Sequence, residues 1–319
     1  MTQPHAVLLT DPLRDEVQEH MRAAGLRLMF PDDAPAVKAV CSGLLVRTST
    51  RVDAALLDTL PALVAVATAS VGYDHLDLDA LRARGIATFC TPGANRDAAA
   101  DHTLGMLLAV ARHTALADRT LHAPPIGPGG WHRDTFTGIE LAGKTLGIIG
   151  IGRVGSGVAH RALAFGMNVI AHDPYVSADT LHADVRGRVS LVPLDELLAT
   201  SHVVTIHTPL NDETRNYLSA ARLAALRPGT IVLNIARGGL LDEAALVDAI
   251  RSRHLSGAGL DVFATEPLPA DSPLRTLDRV VLTPHIGGAT VASQRRMQTA
   301  AADALVAVLQ HGRRDCSLT

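Results

Sequence analysis

Aromatic side chains make up only 3% of the 319 residues, with five Phe, three Tyr and one Trp. Cores must therefore be built from Ala, Val, Leu and Ile. That composition suits parallel strands buried on both faces and helices packed over them. Cysteine is scarce as well. Cys41, Cys90 and Cys316 are far apart, odd in number and without metal-ligand spacing. This argues against a disulfide framework and for a reducing, cytoplasmic setting. No apolar run reaches the length of a membrane-spanning helix. No basic stripe interleaved with aromatics is found, and the formal net charge is −3, so nucleic acid is not an expected partner. Asp11, Arg14 and Asp15 come too early for a signal peptide. The fifteen His are scattered without a zinc-binding pair, so no metal is expected.

What is present is alternation. Ala6–Thr10, Leu26–Phe30, Gly43–Val46, Leu63–Ala67 and Ile86–Phe89 read as short buried strands. Helical patterns such as Asp11–Ala24, Asp53–Leu60 and Asp77–Arg84 lie between them. A second series begins at Thr145, with strands at Thr145–Gly150, Asn168–His172, His202–Ile206, Thr230–Ile235, Gly257–Leu260 and Val280–Leu282. Strand and helix in turn indicate parallel sheets with helices on their faces. Between the series, Arg96 to Leu121 reads as one amphipathic helix, about 40 Å long at the usual rise and able to bridge two domains. A Pro/Gly-rich stretch, 123–130, and Trp131 follow it. Ala289 to Gln310 reads as a closing helix. The class expected is α/β, with two doubly wound parallel-sheet domains.

Gly150-Ile151-Gly152-Arg153-Val154-Gly155 follows an apolar strand and opens a helical pattern. In such a turn the first Gly permits the bend and the second lets the backbone approach a pyrophosphate. The third lets helix and strand pack closely. The free N–H groups at the helix start then hold the phosphate charge. Asp173 follows the next strand, where a carboxylate can accept hydrogen bonds from the adenosine ribose and repel a 2′-phosphate. NAD rather than NADP is the expected cofactor.

Three polar residues follow later strands: Arg237, Glu266 and His285. Singly, each has an ordinary reading as a loop or capping residue. Carboxyl ends of parallel strands, however, are where open α/β sheets bind ligands. Together the three suit reduction of a 2-oxo acid. His285 can supply the proton to the oxygen. Glu266 beside it would favour the charged imidazole, and Arg237 can bind and polarise a carboxylate or carbonyl.

The segments Gly143–Gly155, His172–Tyr175, His207–Leu218, Leu233–Leu246, Gly259–Pro267 and Thr283–Gly288 resemble the D-isomer-specific 2-hydroxyacid dehydrogenases along nearly the whole chain. The resemblance implies a Rossmann cofactor domain of about 98–288 inserted in a flavodoxin-like substrate domain of 1–97 plus 289–319, with substrate in the cleft between. It implies catalytic roles for Arg237, Glu266 and His285. It implies cofactor contacts at Gly150, Gly152, Arg153, Val154, Gly155, Asp173, Thr208, Pro209, Ala236 and Asp261, the last holding the nicotinamide carboxamide. Ser70, Val71 and Gly72 resemble the loop whose N–H groups take the substrate carboxylate, and Arg47 borders the substrate's far end. A homodimer through the cofactor domain is implied, with Trp131 either entering the partner's active site or anchoring the interface. The stretch after Thr91 resembles the phosphoglycerate dehydrogenase branch. Thr68, however, stands where some of those enzymes carry a phosphate-binding Arg, and no regulatory serine-binding domain is expected after the closing helix. A smaller acid such as glyoxylate or hydroxypyruvate is the favoured substrate. 3-Phosphoglycerate oxidation, formate or phosphite oxidation and an NAD(H)-sensing corepressor-like binding protein are the alternatives.

Overall fold

The computed structural model describes residues 5–33, 35–122, 133–315 and 317–319. Trp131 and Cys316 lie outside the described residues. The chain divides into two units, Met1–Asn95 with Ala289–Thr319, and Arg96–Gly288.

The first unit carries five strands: β1 (Ala6–Leu9), β2 (Arg27–Met29), β3 (Cys41–Val46), β4 (Ala65–Thr68) and β5 (Ala87–Phe89). They form one parallel sheet in the order β2-β1-β3-β4-β5. β1 and β4 are buried at every position, as strands covered on both faces must be. The closing helix, Val291–His311, lays Met297, Ala301 and Leu305 into this core. The Thr290 hydroxyl caps its start by accepting from the Ser293 N–H at 3.1 Å, a contact of the kind worth about 1 kcal/mol.

The second unit carries β6 (Thr145–Ile149), β7 (Asn168–His172), β8 (Ser190–Leu191), β9 (Val203–Ile206), β10 (Thr230–Asn234), β11 (Leu255–Leu260) and β12 (Val280–Leu282). All pair in parallel, in the order β12-β11-β10-β9-β6-β7-β8. The order reverses between β6 and β9, so the connections leaving those two strands run to opposite sides and open a crevice at the carboxyl end. Asn234 pairs with Leu260, and Leu260 with Leu282, which aligns the carboxyl ends of β10, β11 and β12.

The single long helix expected over Arg96–Leu121 is not formed. Two helices stand there, Arg96–Ala111 and Thr114–His122, both inside the second unit, so neither bridges the two units. The reason is tertiary. The Ala111 carbonyl, which a continuing helix would give to residue 115, instead accepts the Ile139 N–H at 2.9 Å. His113 then turns into the left-handed region at φ 54°. Among the described residues, no helix is long and apolar enough to cross a membrane.

Candidate active site

The turn after β6 is shaped by its three glycines. Gly150 has φ +88°, and a Cβ there would lie 2.9 Å from both the His207 carbonyl carbon and Thr208 Cγ2. A Cβ on Gly155 would lie 2.1 Å from the Gly150 carbonyl oxygen, so only Gly lets the helix Arg153–Ala164 start this close to the strand. Gly152 differs. A Cβ there would meet nothing within 4 Å, so nothing among the described residues requires its bareness. A ligand that needs the backbone at close range does, and a pyrophosphate at a helix N-terminus is such a ligand. No side chain caps this helix and no acidic residue lies in its first turn. Asp173 closes the far side. Its Oδ2 accepts the Ile151 N–H at 3.1 Å and its Oδ1 accepts the Tyr175 N–H at 3.0 Å, which fixes the carboxylate beside the glycine turn.

Across the crevice, the loop after β9 brings His207 and Thr208 against the same turn, and Pro209 follows them. Burial pushes the His207 imidazole down to about 4, so it is neutral near pH 7. The Thr208 hydroxyl oxygen is buried and has no partner among the described residues. A buried hydroxyl without a partner is costly, and a bound cofactor would relieve it. The glycine turn, the bare helix start, Asp173 and the Thr208 hydroxyl fit a dinucleotide. Arg153 and Val154 form the first turn of the helix, Val154 packed partly against the core.

The other strand ends of the same sheet carry the reactive side chains. Arg237 follows β10, Glu266 follows β11 and His285 follows β12. His285 Nδ1 lies 2.8 Å from Glu266 Oε2, and Glu266 Oε1 accepts the Phe263 N–H at 3.0 Å. Burial raises the Glu266 carboxyl. The His285 and Phe263 hydrogen bonds and the charges of His285 and Arg237 outweigh it and hold the group below its ordinary range. An ionised carboxylate can only accept, so Nδ1 carries the proton and Nε2 is the nitrogen that exchanges.

Backbone contacts aim these groups. His285 has φ 55°, and its N–H donates to the Asp261 and Thr283 carbonyls. Asn234, fully buried at the end of β10, ties down the Arg237 turn. Its amide donates to the Arg237 carbonyl at 2.8 Å and accepts the Ala236 N–H at 3.1 Å. Gly238 lets that turn lie against the loop bearing Glu266, since a Cβ there would overlap the Phe263 carbonyl. Asp261 is fully buried. Burial raises its carboxyl, but bonds from His102, Thr283 and the Ile286 and Gly287 N–H groups outweigh this and hold it low. Within the unit Asp261 thus orders the turn carrying His285. His102, Thr283 and Asn234 escaped sequence reasoning. A polar residue closing an apolar strand, as Asn234 does in TIVLN, was the one available signal.

Among the substrate candidates, Arg47 and the Ser70–Gly72 loop follow β3 and β4, neighbours in the first unit's sheet. The Ser70 hydroxyl donates to the Gly72 carbonyl at 2.7 Å. Thr68, fully buried, bonds Ser70 at 2.7 Å and His75 at 3.0 Å.

Residues 104–287 match the family model described as "D-isomer specific 2-hydroxyacid dehydrogenase, NAD binding domain". D-3-phosphoglycerate dehydrogenase of Mycobacterium leprae is 45% identical over 86% of this chain and 51% of its own. The chain thus spans about half the length of that relative. Hydroxypyruvate reductase of Thermotoga maritima is 40% identical over 80% of each chain. A crystal structure of a Thermus thermophilus protein superposes with a TM-score of 0.87 at 38% identity, covering 98% of this chain and 100% of that one.

Proposed function

The chain belongs to the D-isomer-specific 2-hydroxyacid dehydrogenase family, and from that premise we propose that it interconverts a small 2-oxo acid and its D-2-hydroxy acid with NAD as cofactor. NAD(H), when bound, supplies or accepts the hydride at C2. In the reductive direction His285 Nε2 gives its proton to the C2 oxygen, and Glu266 balances the imidazolium charge through Nδ1. Arg237 binds the substrate and polarises its carbonyl with a fork that an ammonium cannot imitate. The second unit holds the cofactor on the glycine turn, Asp173, Thr208, Pro209 and Ala236. Within the first unit, the Ser70–Gly72 N–H groups and Arg47 are the candidates for binding the acid. The protein acts in the cytoplasm as a homodimer through its cofactor unit.

One observation supports this reading above the others. The 2.8 Å His285–Glu266 pair, with Arg237 close enough to bias Glu266, stands at the strand ends of the sheet that carries the glycine turn. A second reading, oxidation of 3-phosphoglycerate, is favoured by the 45% identity to phosphoglycerate dehydrogenase. Against it, the Thr68 hydroxyl is already engaged by Ser70 and His75 and offers no added cation.

An NADH-oxidation screen over glyoxylate, hydroxypyruvate, pyruvate, phenylpyruvate, 2-ketogluconate and 3-phosphohydroxypyruvate separates them. The expected result is highest kcat/KM on a short unphosphorylated acid. Preference for 3-phosphohydroxypyruvate selects the second reading. NADH binding without turnover of any 2-oxo acid would leave a sensing role instead.

A further inference from the structure

Tyr175 is 83% exposed, more than any other large hydrophobic side chain described. In a chain with three Tyr, a ring left in water invites a reason. Its hydroxyl donates to Glu213 Oε2 at 3.1 Å, joining residues 38 apart in sequence. The two belong to different strand exits. Tyr175 lies on the loop after β7 and Glu213 on the loop after β9, and β6 runs between those strands. The bond therefore passes over the carboxyl end of β6, where the glycine turn lies, across two interstrand spacings or about 10 Å. Both ends are tethered. Asp173 Oδ1 accepts the Tyr175 N–H at 3.0 Å, linking the ring's backbone to the ribose-binding candidate. Asn211 Oδ1 accepts the Thr214 N–H at 2.9 Å and Thr214 Oγ1 donates to the Pro209 carbonyl at 2.6 Å, which clamps the turn bearing Glu213.

Resting on the NAD reading above, we propose that Tyr175 and Glu213 form a strap over the adenosine end of the cofactor groove, the ring giving the adenine a packing face and Glu213 latching it in place. Tyr175 and Glu213 are positioning residues, remote from the hydride-transfer end of the site. The strap has to open for cofactor to enter or leave, so it sets the exchange rate of NADH. Because the ring projects into solvent and fills no core, replacing it leaves the fold standing.

The test follows NADH release by stopped-flow fluorescence, trapping with excess NAD, in the full chain. Tyr175→Phe and Glu213→Ala should each release NADH about three- to tenfold faster, the range set by losing one ordinary, solvent-exposed hydrogen bond. Combined, they should do no more than the larger single change, because both break one bond. Glu213→Gln keeps an acceptor and should fall between wild type and Glu213→Ala. Tyr175→Ala, which also removes the packing face, should release about tenfold faster or more. ADP-ribose, which has the adenosine end but no nicotinamide, should lose affinity in the same order of variants. Release rates of Tyr175→Phe and Glu213→Ala equal to wild type would overturn the strap. A wild-type chain that takes up no NADH at all would remove the cofactor reading itself, and the strap with it.

Discussion

Both units reverse their strand order once, between β1 and β3 in the first and between β6 and β9 in the second. Architecture therefore offers each a crevice at the same topological place. They fill it differently. In the first unit, Asp11 occupies the crevice and accepts from the Ser49 hydroxyl at 2.6 Å and the Arg47 N–H at 3.3 Å, with Thr50 close by. The following helix, Asp15–Ala23, adds Asp15 and Glu16 to its first turn. In the second unit the turn is bare, and the helix start holds no acid. A pyrophosphate at the helix start is thus repelled at one crevice and welcomed at the other. The same parallel sheet serves two ends: at one crevice side chains complete the fold, and at the other their absence leaves room for a ligand.

The comparison predicts that strand-end residues of the second unit cost function before stability. The largest expected effect is His285→Ala, with kcat down at least about 100-fold. NADH affinity and the urea midpoint should stay near wild type. Near-normal turnover would show the proton travels by another group. Next comes Arg237→Lys. Loss of the bidentate fork should lower kcat/KM for the 2-oxo acid by about 10- to 100-fold, and full activity would refute that geometry.

Two substitutions sharpen the contrast directly. Gly152→Ala meets open space in the folded chain, so its urea midpoint should not move while NADH affinity falls about tenfold. Asp11→Ala should do the reverse, costing roughly 1 kcal/mol of stability with NADH affinity kept. If both variants lose stability alone, the crevices do not differ as described.

The smallest effect concerns acid. Asp261 and Glu266 are held below the ordinary carboxyl range, so the folded chain binds their protons more weakly than the unfolded chain does. The stability they contribute is complete above the unfolded value and is lost as pH falls through the folded one. The gap in urea midpoint between wild type and Asp261→Asn should therefore narrow below about pH 4. A gap that widens on acidification would contradict this.

Much of this was readable from residues alone, and the exceptions share a cause. Buried parallel strands announce themselves as apolar runs, which is why β7 and β12 begin and end where composition suggests. The glycine turn is legible because three chemical demands fall within six residues. β8 was not legible: two residues, Ser190 and Leu191, carry no period. The break at His113 was hidden because no Gly or Pro marks it, and the carbonyl capture that stops the helix comes from Ile139. His102 gives no local sign of its bond to Asp261, 159 residues away. Long-range pairing writes no motif.

The alignment of β10, β11 and β12 makes the sheet a ruler for the chemistry. Arg237 and His285 each stand three residues past a strand end in matched register. A slip of one residue in any of these ladders would carry its side chain about 3.3 Å along and turn it to the opposite face. That displacement exceeds the reach of the 2.8 Å imidazole–carboxylate contact. Insertions or deletions within these three short strands should therefore be harsher on turnover than most substitutions around the site.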